Sequence, residues 1–269
     1  MNRFLVLCWL VLTTGISVVA TGSSVPGGIE PGLGWVYRAE VTDLARDAIL
    51  TTTLTFLGVG EPPGIQAVAV ITDRDWGTTL SVYPVAPGAN LATAMTGPAP
   101  VVLRWPTVLD LVPELRGSMP PVQAFALPAV PVDELEWSLS FRQPLGGGSV
   151  ERGEIRLGLG PHGAVTVPAG TFAGLYSTTY SATWRKTSHQ GVAWWPGEDA
   201  AAGPAWIPVW AQGTLGATVR YTWELVERVS LDHDELLARL RDALDATERV
   251  DPPQAREVRD ALRELGIEI

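Results

Sequence analysis

From Gly34 to Ser230 apolar and polar residues alternate with a period of two, and at Leu231 the period changes to 3.6. A period of two puts successive side chains on opposite faces of a strand, so a chain patterned this way builds sheets with one buried face. Thr218 to Val229 shows it best: Val219, Tyr221, Trp223 and Leu225 point one way, Arg220, Thr222, Glu224 and Val226 the other. Leu50, Thr52, Leu54 and Phe56 form a second such run, and Ile155, Leu157 and Leu159 against Glu154 and Arg156 a third. Further strands are expected at Trp35 to Thr42, Gln66 to Thr72, Thr78 to Tyr83, Val101 to Trp105, Leu135 to Arg142 and Gly174 to Trp184, about ten in all. No segment before Leu231 has helical periodicity, which disfavours parallel strand-helix-strand units. The expected fold is mainly β, a large curved antiparallel sheet of half-barrel or sandwich-like form.

Prolines 113, 120, 121, 128 and 131 punctuate the middle of the chain, so a long crossing loop is expected near 106–133. Gly146, Gly147 and Gly148 read as a hairpin tip, because a phosphate cradle needs a following helix and none is patterned there. After the switch of period, Asp232 and Glu235 have capping-box spacing, flanked by Leu231 and Leu236 as a hydrophobic staple. Leu236, Leu237, Leu240, Ala243 and Leu244 form an apolar stripe. Asp251 followed by Pro252 starts a second helix carrying Val258, Leu262 and Leu265, and Gly266 with Ile267 ends it in a Schellman turn. Residues 231–269 are therefore expected to be a helical hairpin, too short to be stable undocked.

Arg3 precedes an apolar run from Phe4 to Leu12 and a milder one to Ala20, the layout of a secretory signal. Residues 1–22 are read as that signal and 23–230 as the β domain, which makes the protein exported: periplasmic, envelope-bound or secreted. Retention of the segment as an anchor is the alternative. Cys8 is the only cysteine, so cleavage removes all thiol chemistry and any disulfide. No later run reaches the length of a membrane-spanning helix. The formal net charge of −10 opposes nucleic acid and anionic membranes as partners.

His162 lies in a Pro-His-Gly sequence read as a turn, His189 in a segment read as a polar loop, and His233 in the first turn of a helix. None has a nucleophile, carboxylate or second histidine at a diagnostic spacing, and no G-x-S-x-G, H-E-x-x-H or phosphate-loop motif occurs. Asp73 and Asp75 resemble the start of a calcium loop but lack its later ligands, so a hairpin turn is the better reading. Neither a cofactor nor a metal is expected. Tryptophan is the unusual component, 11 in the whole chain. Trp194, Trp195, Trp206 and Trp210 bracket one short stretch and are the candidate ligand-binding residues, with core packing as the competing role. If the segment is a strand, Trp194 and Trp195 face opposite ways, so one of the two is covered by another layer or exposed.

Val165 to Phe172 reads V-T-V-P-A-G-T-F, and with Gly34, Trp35 and Tyr37 at the first strand and Ala193 to Pro196 later it resembles a broad set of exported bacterial proteins of unknown function. The resemblance implies a V-P-A-G-T-F turn linking two strands of a curved sheet, similar to the open half-barrels of periplasmic lipoprotein carriers. The turn has its own physics: Pro168 withholds a ladder donor, Gly170 permits a positive φ, and Phe172 re-enters the sheet. Three functions stay open. One is a non-catalytic exported module binding an apolar or amphipathic ligand, or an envelope protein, on its concave face. Another is carbohydrate or cell-wall binding through the four tryptophans. The last is a secreted hydrolase whose groups converge only in space.

Overall fold

The computed structural model describes residues 30–60, 67–84, 136–144, 150–184, 187–196 and 208–269. The strands are β1 (Leu33–Asp43), β2 (Ala48–Val59), β3 (Ala67–Arg74), β4 (Gly77–Pro84), β5 (Glu136–Pro144), β6 (Val150–Val167), β7 (Gly170–Trp184), β8 (Thr187–Trp195), β9 (Trp210–Leu215) and β10 (Val219–Ser230). All pair antiparallel in one sheet ordered β4-β3-β2-β1-β10-β9-β8-β7-β6-β5. Each neighbour is the next strand in sequence except β1 and β10, which join the two arms in the middle. The protein is mainly β, and among the described residues the sheet does not close into a barrel. The strand expected at Val101 to Trp105, the loop near 106–133, the glycine tip at 146–148 and residues 1–22 lie outside the described residues.

Two apolar cores lie on opposite faces of β2 and β3. Trp35, Tyr37, Leu54, Phe56, Val68, Val70, Tyr221, Trp223 and Leu225 make the aromatic core. Tyr37 stacks on Trp223 at 4.9 Å between ring centroids and meets Phe56 edge-on at 5.5 Å, both favoured ring geometries. The intervening residues Leu57, Val59, Ala67, Ala69 and Ile71 face the other way and are covered by the C-terminal helices. Strand β3 is thus buried on both sides, which explains its unbroken apolar run Ala67 to Ile71.

The helices are α1 (His233–Val250) and α2 (Pro252–Glu264). Their ends are made as the residues dictate. The Glu235 amide donates to Asp232 Oδ1 at 2.9 Å and the Asp232 amide to Glu235 Oε2 at 3.0 Å, a complete capping box. The Gln254 amide donates to Asp251 Oδ1 at the start of α2. Gly266 has φ +75°, and the amides of Ile267 and Gly266 donate to the carbonyls of Leu262 and Arg263, a Schellman end. Leu236, Leu240, Ala243, Leu244, Ala255, Val258 and Leu262 bury against the sheet. No helix among the described residues is long and apolar enough to cross a membrane.

The V-P-A-G-T-F turn folds inward. Pro168 and Ala169 form the two-residue loop, Gly170 has φ +138°, Thr166 and Thr171 join hydroxyls at 2.9 Å, and Phe172 is buried. The Ala169 amide then donates to the Leu225 carbonyl in β10 at 3.3 Å. In sheet order β10 and β7 are separated by β9 and β8, which are short. The tip of the long β6–β7 hairpin thus reaches β10 past the ends of these short strands.

Candidate functional site

The four candidate tryptophans divide. Trp195 is buried in the aromatic core, Trp194 and Trp210 are half-buried along its margin, and Trp206 lies outside the described residues. Trp194 and Trp210 are directly opposed in the β8–β9 register, and Trp210 is opposed to Glu224 in β10. Glu224 alternates with the buried Trp223 and Leu225, so Trp210 leaves its strand on the side of Glu224, yet both half-buried indoles still pack against the aromatic core, and Ser177, opposed to Trp194, is buried. Directly opposed residues have Cβ atoms about 4.5–5.5 Å apart, so these indoles are neighbours. A Cβ on Gly163 would come within 2.7 Å of the Trp194 ring, so the indole lies directly on the β6 backbone, which only glycine permits.

The same row continues outward from Trp210. Arg38 in β1 is opposed to Glu224 and donates from Nε to its Oε1 at 2.9 Å and from Nη2 to the same oxygen. Arg38 is half-exposed, so the ion pair is a solvent-facing feature and contributes about 0–1 kcal/mol to stability. Two residues along, Thr179, Gln212 and Thr222 are exposed on the same face. Two indoles, a guanidinium, a carboxylate, an amide, hydroxyls and the Val192 side chain thus share neighbouring rows of the ladder. They supply apolar area and both kinds of hydrogen-bonding group.

The aromatic core has one chemical irregularity. Tyr37 is fully buried and its hydroxyl has no hydrogen-bond partner among the described residues. Burial pushes its ionisation far above the ordinary tyrosine value. Trp223, beside it, is satisfied: its Nε1 donates to the Pro208 carbonyl at 2.9 Å.

The histidines do not converge. His162 is not in a turn: it lies within β6 at a break in register and is opposed to Tyr176. His189 is not in a loop: it lies in β8, opposed to Ala182. Positions 176 and 182 are about 20 Å apart along β7, which separates the two histidines by a similar distance. His233 is exposed at the first position of α1. Asp73 belongs to the β3–β4 hairpin, where Oδ1 accepts from the Thr78 hydroxyl at 2.6 Å. Among the described residues no three His, Cys, Asp or Glu are placed to hold a metal. Sequence reasoning did not anticipate Arg38 and Glu224, which lie 186 positions apart and meet only through the β1–β10 pairing. Comparison of the chain with protein-family models, with curated proteins and with solved structures found no match.

Proposed function

We propose that the protein is a non-catalytic, exported binding module that engages carbohydrate of the cell envelope through the face carrying Trp194 and Trp210. The observation that carries this reading is the cross-strand pairing of two half-buried indoles beside the solvent-facing Arg38 and Glu224, with exposed Gln212 and Thr222 two residues along. Indoles meet the apolar faces of pyranose rings, while carboxylate, guanidinium and amide groups take up the ring hydroxyls. Export is supported by the N-terminal pattern of Arg3 and the apolar run to Leu12.

The test is retention of the mature protein on purified peptidoglycan sacculi and on insoluble chitin and cellulose, followed by titration with soluble oligosaccharides using indole fluorescence. Wild type is expected to bind at least one of these. Trp210→Ala, at a half-buried marginal position, is expected to weaken binding at least about tenfold, the effect of losing ~1.4 kcal/mol. Absence of wild-type retention on all three polymers, or equal retention of the variant, overturns the reading.

A second reading, an apolar or amphipathic ligand held inside the curl, is favoured by the unpartnered Tyr37 hydroxyl, a donor that an acceptor-bearing ligand would satisfy. Against it, the inner face at β1, β2 and β10 is already filled by Trp35, Tyr37, Phe56 and Trp223. Native mass spectrometry of the purified mature chain separates the two, because an enclosed lipid would add a discrete mass.

A further inference from the structure

We infer that, on the carbohydrate reading above, the ligand is an uncharged glycan chain lying extended across the strands, along a track of side chains that runs from Trp194 toward Thr51. Glu40 in β1 is opposed to Thr51 in β2 and to Thr222 in β10. Thr222 is opposed to Gln212 in β9, Gln212 to Val192 in β8, and Val192 to Thr179 in β7. This row leaves the sheet on the side of Glu224, two residues along the strands from the row of Arg38, Glu224, Trp210 and Trp194. Thr51, Thr222, Gln212 and Thr179 are exposed, and Glu40 and Val192 are half-buried.

Neighbouring strands are about 4.8 Å apart, so the row from Thr51 to Thr179 offers one side chain per strand over about 24 Å. That is more than one sugar can touch, and the strand spacing is close to the length that each pyranose adds to an extended chain. The two rows are about 6.8 Å apart along the strands, so the hydroxyl and amide groups of one and the indoles of the other flank a single chain. The Trp194 ring lies on the Gly163 backbone, which fixes it against the sheet at one end of the track. The chemistry of the row selects the occupant. Helices α1 and α2 are dense in Arg, Asp and Glu, whereas this row holds one charge, Glu40, and the neighbouring row closes its two charges on each other, Arg38 on Glu224. A merely solvated face is served by charge, as on the helices. Hydroxyl and amide groups both donate and accept, which matches the hydroxyls of a neutral glycan. A polyanion is opposed by Glu40 and by the formal net charge of −10.

The experiment titrates the full mature chain, by calorimetry, with oligosaccharides of whichever polymer retains it, from disaccharide to hexasaccharide. Affinity is expected to rise at least about tenfold along the series and to change less than about twofold between low and high salt. Thr51 lies four strands from Trp194, about 19 Å across the sheet. Thr51→Arg, at this exposed position, is expected to cut the ratio of hexasaccharide to disaccharide affinity at least about fivefold, whereas Trp210→Ala weakens the whole series. Equal affinity along the series, a ratio that Thr51→Arg leaves unchanged, or binding that collapses with salt overturns the inference and leaves the carbohydrate reading standing. Absence of retention on every polymer overturns both.

Discussion

Tyr37 shows how one side chain can trade stability for packing. Its ring stacks on Trp223 and meets Phe56, yet its hydroxyl is buried without a partner among the described residues, at a cost of about 1–3 kcal/mol. Tyr37→Phe keeps the ring and removes the orphan, so stability near neutral pH is expected to stay equal or rise by ~1 kcal/mol in denaturant titration. A loss of more than about 1 kcal/mol would show that the hydroxyl has found a partner such as a buried water. The pH dependence follows from the burial-raised ionisation of the folded state. Below about pH 10, the ordinary tyrosine value, both states hold the proton and this group is silent. Above it the unfolded chain loses the proton while the folded chain keeps it, so stability falls as pH rises, by up to about 1.4 kcal/mol per pH unit. Wild type should therefore lose stability faster than Tyr37→Phe between about pH 10 and 11; equal slopes would place the hydroxyl in contact with solvent.

Among the elements, the helices were the most legible because their ends are local chemistry: Asp232 with Glu235, Asp251 before Pro252, and Gly266 before Ile267 each specify a cap within a few residues. Strands β1 to β7 and β10 were legible, most of them from alternation and β3 from its unbroken apolar run. Strands β8 and β9 were not, because their core-facing positions are small: Gly191 opposes Gly213 and Ala193 opposes Ala211. The reason lies on β10, whose Tyr221 and Trp223 fill that space; a Cβ on Gly213 would meet the Tyr221 hydroxyl at 2.5 Å. Large residues on one strand thus erase the apolar signal on its neighbours. The same non-locality hid the face containing Arg38, Trp210 and Glu224, while the clustering of Trp194 and Trp210 was visible. The β6–β7 tip gives the prediction at this scale. No atom lies within 4 Å of a Cβ built on Gly170, so the cost of Gly170→Ala comes from φ +138° alone. About 1–3 kcal/mol is expected by denaturant titration. A neutral result would mean that the turn re-forms in another geometry without the Ala169 to Leu225 bond.

At the scale of the whole molecule, β3 joins the two cores: Val68 and Val70 belong to the aromatic one, while Ala67, Ala69 and Ile71 support the helices. The hairpin is therefore part of the folded body and not an appendage, which is also what its chain entry demands, since the Leu231 amide bonds to the Gly32 carbonyl beside β1. A void opened under the helices should then be felt in the aromatic core. Leu240 is fully buried between α1 and the sheet, and Leu240→Ala is expected to cost about 2–5 kcal/mol, the range for a large-to-small change in a packed interior. For a domain of this size that corresponds to a fall in melting temperature of roughly 4–20 °C, taking about 2–4 °C per kcal/mol. The informative measurement follows two signals during the same melt: helix content for the hairpin, and the near-ultraviolet signal of the stacked Tyr37 and Trp223 for the aromatic core. Coincident transitions, both shifted by the variant, are expected if β3 transmits the loss from one core to the other. Early melting of the helices with an unshifted aromatic transition would instead divide the molecule into two independently stable layers.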